Sequence, residues 1–435
     1  MRYSRIMKES GMGRLPAGFR KLDLHGRREV IKSAFAFPDD EWAGISCAQH
    51  MLELLDVMVE CAVGCTPLPL GIAQGFLIDD KEVLIPMAVE EPSVITAASY
   101  AAHLVREDGG FQTWASEPLM VVQVFLESVT QNGEKALANC GPELRQALDG
   151  SLISLTQRGG GYRSFRVERL PSGTVRVDLV IDVRDALGAN RLNTAGESVR
   201  PLLERASGGR SLMAILTDAA SQRLAGARFS IPIERLAHGL PAGMSCREAA
   251  RRITAASVIA QEDASRAVTH NKGIMNGISS LALATMNDTR AVEAAAHLWA
   301  ARDGQYRGLS RYSVDGTSLR GEIELPLALA SAGGSIEFHP AARASMRILG
   351  SPNAQRLSRI GAALGLAQNF AAVLALVTFG IQKGHMKYHA ARVAYTAGAR
   401  GSEVRRLAER LSTTGSLDVL SARRALKDMR GQQSP

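Results

Sequence analysis

At 435 residues, with apolar side chains at 46% and charged ones at 22%, the chain exceeds the size at which one core stops growing; a single small module and wholesale disorder are excluded, and two or three domains are expected. The net charge of +8 comes from 51 basic and 43 acidic residues that are scattered, and aromatics reach only 5%. The basic stripe and stacking rings of a nucleic-acid binder are missing, so no nucleic-acid partner is expected and anionic small molecules suit the charge better.

The N-terminus MRYSRIMKESGMGR lacks an apolar stretch with a cleavage site and does not read as a signal peptide. The strongest apolar run, Phe370 to Gly380, falls short of the ~20 residues that cross a bilayer, so the expectation is a soluble, cytoplasmic protein without a membrane partner. Cys47, Cys61, Cys65, Cys140 and Cys246 are an odd count with one close pair, Cys61 and Cys65. That argues against a disulfide framework or a zinc site and for buried apolar thiols in a reducing compartment.

Along the chain, residues 20–60 carry helical apolar spacing. From Thr66 to Met87 the pattern changes to short apolar runs around Asp79-Asp80-Lys81, which predicts a strand pair with a hairpin tip there. Pro92 suits a first helical position, with Val94 to Val105 continuing at helical spacing, so Glu91 falls at a helix N-terminus. Residues 118–232 read in order as β-α-β-β-α-β with an extra strand, the pattern of a ferredoxin-like unit inserted in the chain. Helices are expected over 248–265 and 290–301, a strand at SLRGEIELPLAL, a long Ala/Leu-rich helix or helix pair over 355–378, and a charged helical tail with a hinge at Gly398 and Gly401.

No Gly-x-Gly-x-x-Gly fingerprint is present. The Gly-rich candidates are Gly159-Gly160-Gly161 and Asp185-Ala186-Leu187-Gly188-Ala189-Asn190; the second joins the strand VRVDLVIDV to a helix whose first N–H groups can meet a pyrophosphate, although an ordinary strand-to-helix turn has the same pattern. THNKGIMNG at 269–277 sets Lys272 among small and polar residues; on its own it reads as a loop with a solvated lysine, or as an electrophile for a developing oxyanion. Asp288 precedes a helical run, where an N-cap role is the plain reading. His385 and His389 share a helix face but lack the intervening glutamate and a third ligand, so no metal is expected.

Together and in this order the motifs resemble the class II hydroxymethylglutaryl-CoA reductases of the bacterial, degradative type. The carriers are RLPAGFRKL (14–22), ECAVG (60–64), PMAVEEPSVITAAS (86–99), DVRDALGAN (182–190), THNKGIMNG (269–277), ATMNDTRAVEAAAH (284–297) and QKGHM (382–386). The resemblance implies an α+β fold: a large, mostly helical substrate-binding and dimerisation domain (1–117 and 219–380), an inserted ferredoxin-like, non-Rossmann dinucleotide-binding domain (118–218) and a small helical C-terminal flap (381–435). It implies interconversion of mevalonate plus coenzyme A with hydroxymethylglutaryl-CoA by two nicotinamide hydride transfers through a mevaldehyde-level intermediate, chiefly in the oxidising direction. Glu91, Lys272, Asp288 and His385 fall on the catalytic positions. Arg20, Ser93, Arg266 and Asn276 fall on coenzyme A and substrate contacts, and Asp149, Asp185, Gly188 and Asn190 on the dinucleotide site. The implied cofactor is NAD, with coenzyme A as co-substrate; Arg158 or Arg163 facing the ribose would favour NADP instead. The assembly implied is a homo-oligomer, a dimer or a trimer of dimers with sites at the subunit interface. Cys61 stands where the family has asparagine. The alternatives are a biosynthetic NADPH-dependent reductase and a catalytically silent homologue that binds coenzyme A esters.

Overall fold

The computed structural model describes residues 18–34, 37, 39–380, 390–414 and 418–431. The chain divides into two units, one of residues 1–69 with 338–340 and one of 70–337 with 341–435. In the first, a 3-10 turn (Phe19–Lys21) leads into α1 (Leu24–Ala34), α2 (Asp39–Gly44) and α3 (Gln49–Met58). Polar clamps supplement its few buried apolar side chains. Buried Arg27 donates to the carbonyls of Leu22 (2.6 Å) and Ala62 (3.0 Å) and pairs with Asp56 of α3.

The second unit opens with the antiparallel hairpin β1 (Leu70–Ile78) and β2 (Lys81–Ala88), which turns at Asp79 and Asp80, both at positive φ as a two-residue turn requires. The Asp79 carboxylate accepts from the Thr113 amide and hydroxyl (2.7 and 2.6 Å) and pairs with Arg356 (2.5 Å), which pins the tip. The chain then runs through α4 (Val94–Arg106) and β3 (Gln112–Ala115) into β4 (Leu119–Glu127). The predicted start at Pro92 is not observed: Ser93 is the N-cap, at φ 75°, and Pro92 lies before it.

From β4 the order is α5 (Gln131–Ala138), α6 (Gly141–Ser151), α7 (Ile153–Thr156), β5 (Gly161–Arg169), β6 (Val175–Asp182), α8 (Ala189–Ser207) and β7 (Arg210–Thr217). These strands form an antiparallel sheet ordered β5-β6-β4-β7, the fourth-first-third-second arrangement of a ferredoxin-like unit. Alternate side chains of β4 (Met120, Val122, Val124, Leu126) are buried in a core shared with Leu137, Leu144 and Leu148. The extra strand, β8 (Leu224–Pro232), leaves that sheet and pairs with β3 and β10.

After α9 (Cys246–Glu262), α10 (Ala264–Ala284) and α11 (Thr289–Ala300), β9 (Ser310–Asp315) and β10 (Ser318–Pro326) complete the sheet β3-β8-β10-β9; α12 (Ser335–Phe338) and α13 (Pro340–Ile348) precede α14 (Ala354–Val377). At 24 residues with mean hydropathy 1.9, α14 is long and apolar enough to cross a membrane, longer than the run the sequence suggested, and it is largely buried as the central helix of the core. A helix over 390–396, α15, joins α16 (Ser402–Thr414) and α17 (Val419–Gly431) around a core of Val393, Leu407, Leu411 and Leu426, with Gly398 and Gly401 at positive φ between them.

Residues 269–277 lie inside α10, not in a loop. Gly277 among them serves packing: a Cβ there would meet the Gln368 Cβ at 3.1 Å, and one on Gly365 would meet Ile278 at 2.7 Å, so the close approach of α10 and α14 at this seam depends on both positions being bare. A buried polar network fixes the seam. His270 Nε2 and Ser310 Oγ are 2.7 Å apart, Ser310 and Tyr312 hydroxyls donate to Asn369 Oδ1 (2.8 Å each), and Asn369 Nδ2 donates to the His270 carbonyl (3.1 Å).

Burial, aided by nearby Arg266, depresses the His270 pKa to about 4. The unfolded chain therefore takes up a proton near pH 6.5 that the folded chain refuses until about 4, so stability present above 6.5 is lost as pH falls through that window. Denaturant titrations at pH 7 and 4.5 should show this histidine alone removing about 2 kcal/mol. In His270→Gln that part of the pH dependence should vanish; an unchanged slope would remove His270 from the account.

Candidate active site

Three turns of backbone bring the polar residues into place. Leaving β2, the chain reverses at Ser93, whose left-handed φ of 75° costs a non-glycine residue roughly 1 kcal/mol. That reversal presents Glu91 just ahead of α4. Its Oε2 accepts a hydrogen bond from Lys272 Nζ at 2.7 Å, across 181 positions of sequence. Lys272 keeps 59% of its side-chain surface and Glu91 36%, so the pair adds little to folding and is open to a ligand. Asn276 follows Lys272 by one turn of α10 and is half-buried. Arg266, in the first turn of α10, is also half-buried, which lowers its pKa, and its guanidinium has no hydrogen-bonding or ionic partner among the described residues. The Ser93 hydroxyl is buried without a hydrogen-bond partner among the described residues.

Asp288 stands apart from this pair. It is the N-cap of α11, its Oδ1 accepting from the amides of Arg290 (3.0 Å) and Ala291 (3.1 Å), as the plain reading held. Asn287 braces the turn, donating to the Ala330 carbonyl (3.1 Å) and accepting from the Ala330 amide (2.7 Å). Asp288 lines a cavity of about 930 Å³ whose opposite wall is the turn 185–190, with Asp185, Gly188 and Asn190 among its lining residues. Gly188 caps α8 at φ 79°, where a Cβ would press on Val183 at 3.1 Å. Asp185 Oδ1 accepts from the Ala354 amide (2.9 Å), which anchors the turn to α14.

Arginines supply the cavity's positive charge: Arg158, Arg184 and Arg191 line it. Arg191 is bonded to Ser154 and Arg184 to the Gly159 carbonyl, whereas the Arg158 guanidinium has no partner among the described residues. Arg163 is committed elsewhere, donating to buried Asp182 (2.6 Å) and to the Gly159 carbonyl (3.1 Å). Asp149 lies exposed on α6, outside the cavity lining. Arg20 is exposed on the 3-10 turn of the first unit. His385 lies outside the described residues, but just beyond it Arg392 Nη2 donates to the Glu90 carbonyl (3.1 Å), beside Glu91.

Two residues outside the cavity lining that act on groups within or beside it carry no signal in the sequence. Asp218 has its carboxyl held above the ordinary range, first by burial and then by the Asp288 carboxylate. Arg223 is buried beneath the 185–190 turn and donates to the carbonyls of Leu329 (2.6 Å) and Ala186 (3.3 Å). Burial lowers its pKa to about 10, against the pull of Asp182 and Asp185, so it stays charged at neutral pH.

Residues 23–390 match the family described as hydroxymethylglutaryl-coenzyme A reductase. The chain belongs to that family. It is 40% identical over 423 residues to the 3-hydroxy-3-methylglutaryl-coenzyme A reductase of Archaeoglobus fulgidus, covering 96% of this chain and 95% of the relative. It is 33% identical over 380 residues to the probable reductase of Borreliella burgdorferi, covering 87% and 86%. Among solved structures, the Streptococcus pneumoniae reductase superposes with a TM-score of 0.73 at 38% identity, covering 95% of this chain and 99% of that one. The class II reductase of the same organism, solved bound to NADPH in open conformations, gives the same TM-score and identity over 94% and 100%. The chain is a class II hydroxymethylglutaryl-CoA reductase by these likenesses, an oxidoreductase, as the resemblance implied.

In this reductase Ser93→Ala should leave the melting temperature unchanged or slightly raised, because it removes a buried hydroxyl whose lack of a partner costs about 1 kcal/mol or more. Activity should fall tenfold or more with a raised KM. A variant that instead lost stability would make the hydroxyl a structural group.

Proposed function

We propose that this reductase interconverts hydroxymethylglutaryl-CoA with mevalonate and coenzyme A through a mevaldehyde-level intermediate, with Glu91, Lys272, Asp288 and His385 as its catalytic residues. The observation that carries the reading is the accessible 2.7 Å pair of Glu91 and Lys272, a carboxylate able to take up and pass on a proton and a fixed cation at one point. A bound nicotinamide supplies one hydride in each of two steps. At each, the carbonyl oxygen gains negative charge, which the Lys272 ammonium stabilises and the Glu91 carboxyl neutralises by giving a proton. Between the steps coenzyme A departs as a thiolate; a histidine of ordinary pKa ~6.5 at position 385 is suited to protonating a thiol of ~8.5. Unpaired Arg266, the Ser93 hydroxyl and Asn276 hold the substrate's carboxylate and hydroxyl, and Arg20 takes a coenzyme A phosphate. A silent homologue has no use for the Glu91–Lys272 pair.

The dinucleotide is assigned to residues 118–218 and the cavity at the 185–190 turn, with Asp185, Gly188 and Asn190 as contacts. The site fits an anion: amides at the start of α8, a glycine at φ 79°, and three arginines. Unpaired Arg158, with Asp149 outside the lining, favours NADP over NAD and so the mevalonate-forming alternative. Residues 381–435 are the flap that carries His385, and residues 1–117 with 219–380 form the substrate and dimerisation domain.

Asp288 and the cavity lie past the end of α10, and the helix from Lys272 to Ala284 runs about 18 Å, beyond the reach of a lysine side chain. The Glu91–Lys272 half of the site is therefore assigned to one subunit and the Asp288 half to its partner, in a dimer or trimer of dimers.

Lys272→Ala and Asp288→Asn should each cost a thousandfold or more in activity. Unfolding and refolding the two variants together should restore about a quarter of the wild-type sites, since half of the dimers are then mixed and each holds one intact site. No recovery, with mixed dimers demonstrated by mass, would place the site within one chain. Arg158→Ala should lower kcat/KM for NADPH tenfold or more while sparing NADH; equal loss with both would exclude a 2′-phosphate contact.

A further inference from the structure

The first unit holds a pair of thiols that the reductase chemistry does not use. The segment 45–47, after α2, lies against the segment 63–65, which follows the Glu60-Cys61 motif. The Cys65 amide donates to the Ile45 carbonyl (3.0 Å), and Gly64 packs so closely on that carbonyl that a Cβ there would overlap it. Arg28 of α1 clamps both segments, donating to the Val63 carbonyl and to Ser46 Oγ (2.8 Å), with its guanidinium stacked 4.7 Å from the Trp42 ring centre. The clamp sets Cys47 and Cys65 on these two adjoining segments, near enough that each thiol acts on the other's ionisation. Both are partly exposed, unlike Cys140, which alone of the five is buried as the sequence reading expected.

We propose that Cys47 and Cys65 form a redox-sensitive modification site, closing reversibly to an intramolecular disulfide when a small-molecule disulfide such as oxidised glutathione is present. The thiolate of one cysteine attacks a glutathione sulfur and expels one glutathione thiolate; the other cysteine then attacks the mixed disulfide and expels the second. Two electrons and two thiol protons pass from the protein to two glutathione molecules. The bridge encloses α3 and the motif residues Glu60 and Cys61 in one covalent loop. Burial first, and then the neighbouring Cys65, hold the Cys47 thiol above its ordinary pKa despite the opposing Arg28 charge. Closure is therefore slow near neutrality and quickens as pH rises, because the thiolate is the attacking form.

The test incubates the full-length protein with oxidised glutathione at pH 7 and 8.5, counts free thiols, and maps bridged peptides without reduction. Wild type should fall from five free thiols to three, faster at pH 8.5, and recover all five with excess dithiothreitol. Cys61→Ser should still lose two thiols and yield the 47–65 peptide, whereas Cys47→Ser and Cys65→Ser should yield no intramolecular bridge. A dominant 61–65 or intermolecular bridge, stable glutathione adducts on Cys47 or Cys65 without closure, or five thiols retained at both pH values would each overturn the proposal. Serine variants that fold poorly leave the peptide map of the wild type as the deciding measurement.

Discussion

The contact between Lys272 and Glu91 depends on everything around it and supports little in return. An ion pair with both partners this accessible contributes at most about 1 kcal/mol to folding, so its geometry is imposed by the scaffold. On one side α10 is held in register against α14 by bare glycines at 277 and 365 and by the network of His270, Ser310, Tyr312 and Asn369. On the other, the β1-β2 hairpin is fixed at its tip by Asp79, and the strained Ser93 turns the chain so that Glu91 meets the helix. A salt bridge that the fold imposes in this way can be given up to a substrate without loosening the fold.

Much of this was legible because local chemistry and tertiary structure agree. The Asp79-Asp80 turn follows from a residue type that accepts positive φ and the Asp288 cap from a side chain acting on its own backbone, and the ferredoxin-like order follows in part from alternation that is complete in β4 and holds over the first half of β6. The reading failed where packing reverses a local signal. Gly273 and Gly277 among polar neighbours suggest a loop around Lys272, yet at Gly277 a second helix needs the space, and the propensity cost of about 1 kcal/mol per glycine is outweighed by burial of the helix. Pro92 looked like a first helical residue because the sequence does not show that Ser93 takes a left-handed φ. Residue type alone suggests buried cysteines; spacing does not reveal that the segments carrying 47 and 65 adjoin, since Arg28 of α1 bonds to both.

The site itself was legible in motifs rather than in geometry. Glu91 and Lys272 meet, while Asp288 lies past the end of the Lys272 helix as the cap of the next one, beside groups that no motif names. Asp218 and Arg223 lie in connections between strands with no periodic or capping signature, and their importance comes from burial, which a linear chain does not display.

Arg223 carries a consequence for any anion that approaches the 185–190 turn. Two carboxylates, Asp182 and Asp185, hold that turn in shape, and unopposed they would surround the amides at the start of α8 with a repulsive field. A guanidinium sealed under the loop, together with Arg163 on Asp182, offsets both charges from the protein side, where solvent cannot screen it. The loop can thus be braced by acids and still attract phosphate, because attraction at its rim is left to backbone dipoles and the outward-facing arginines. Replacing the hidden cation by a neutral side chain would expose the scaffold's own negative charge to the ligand, and the binding surface would lose its sign.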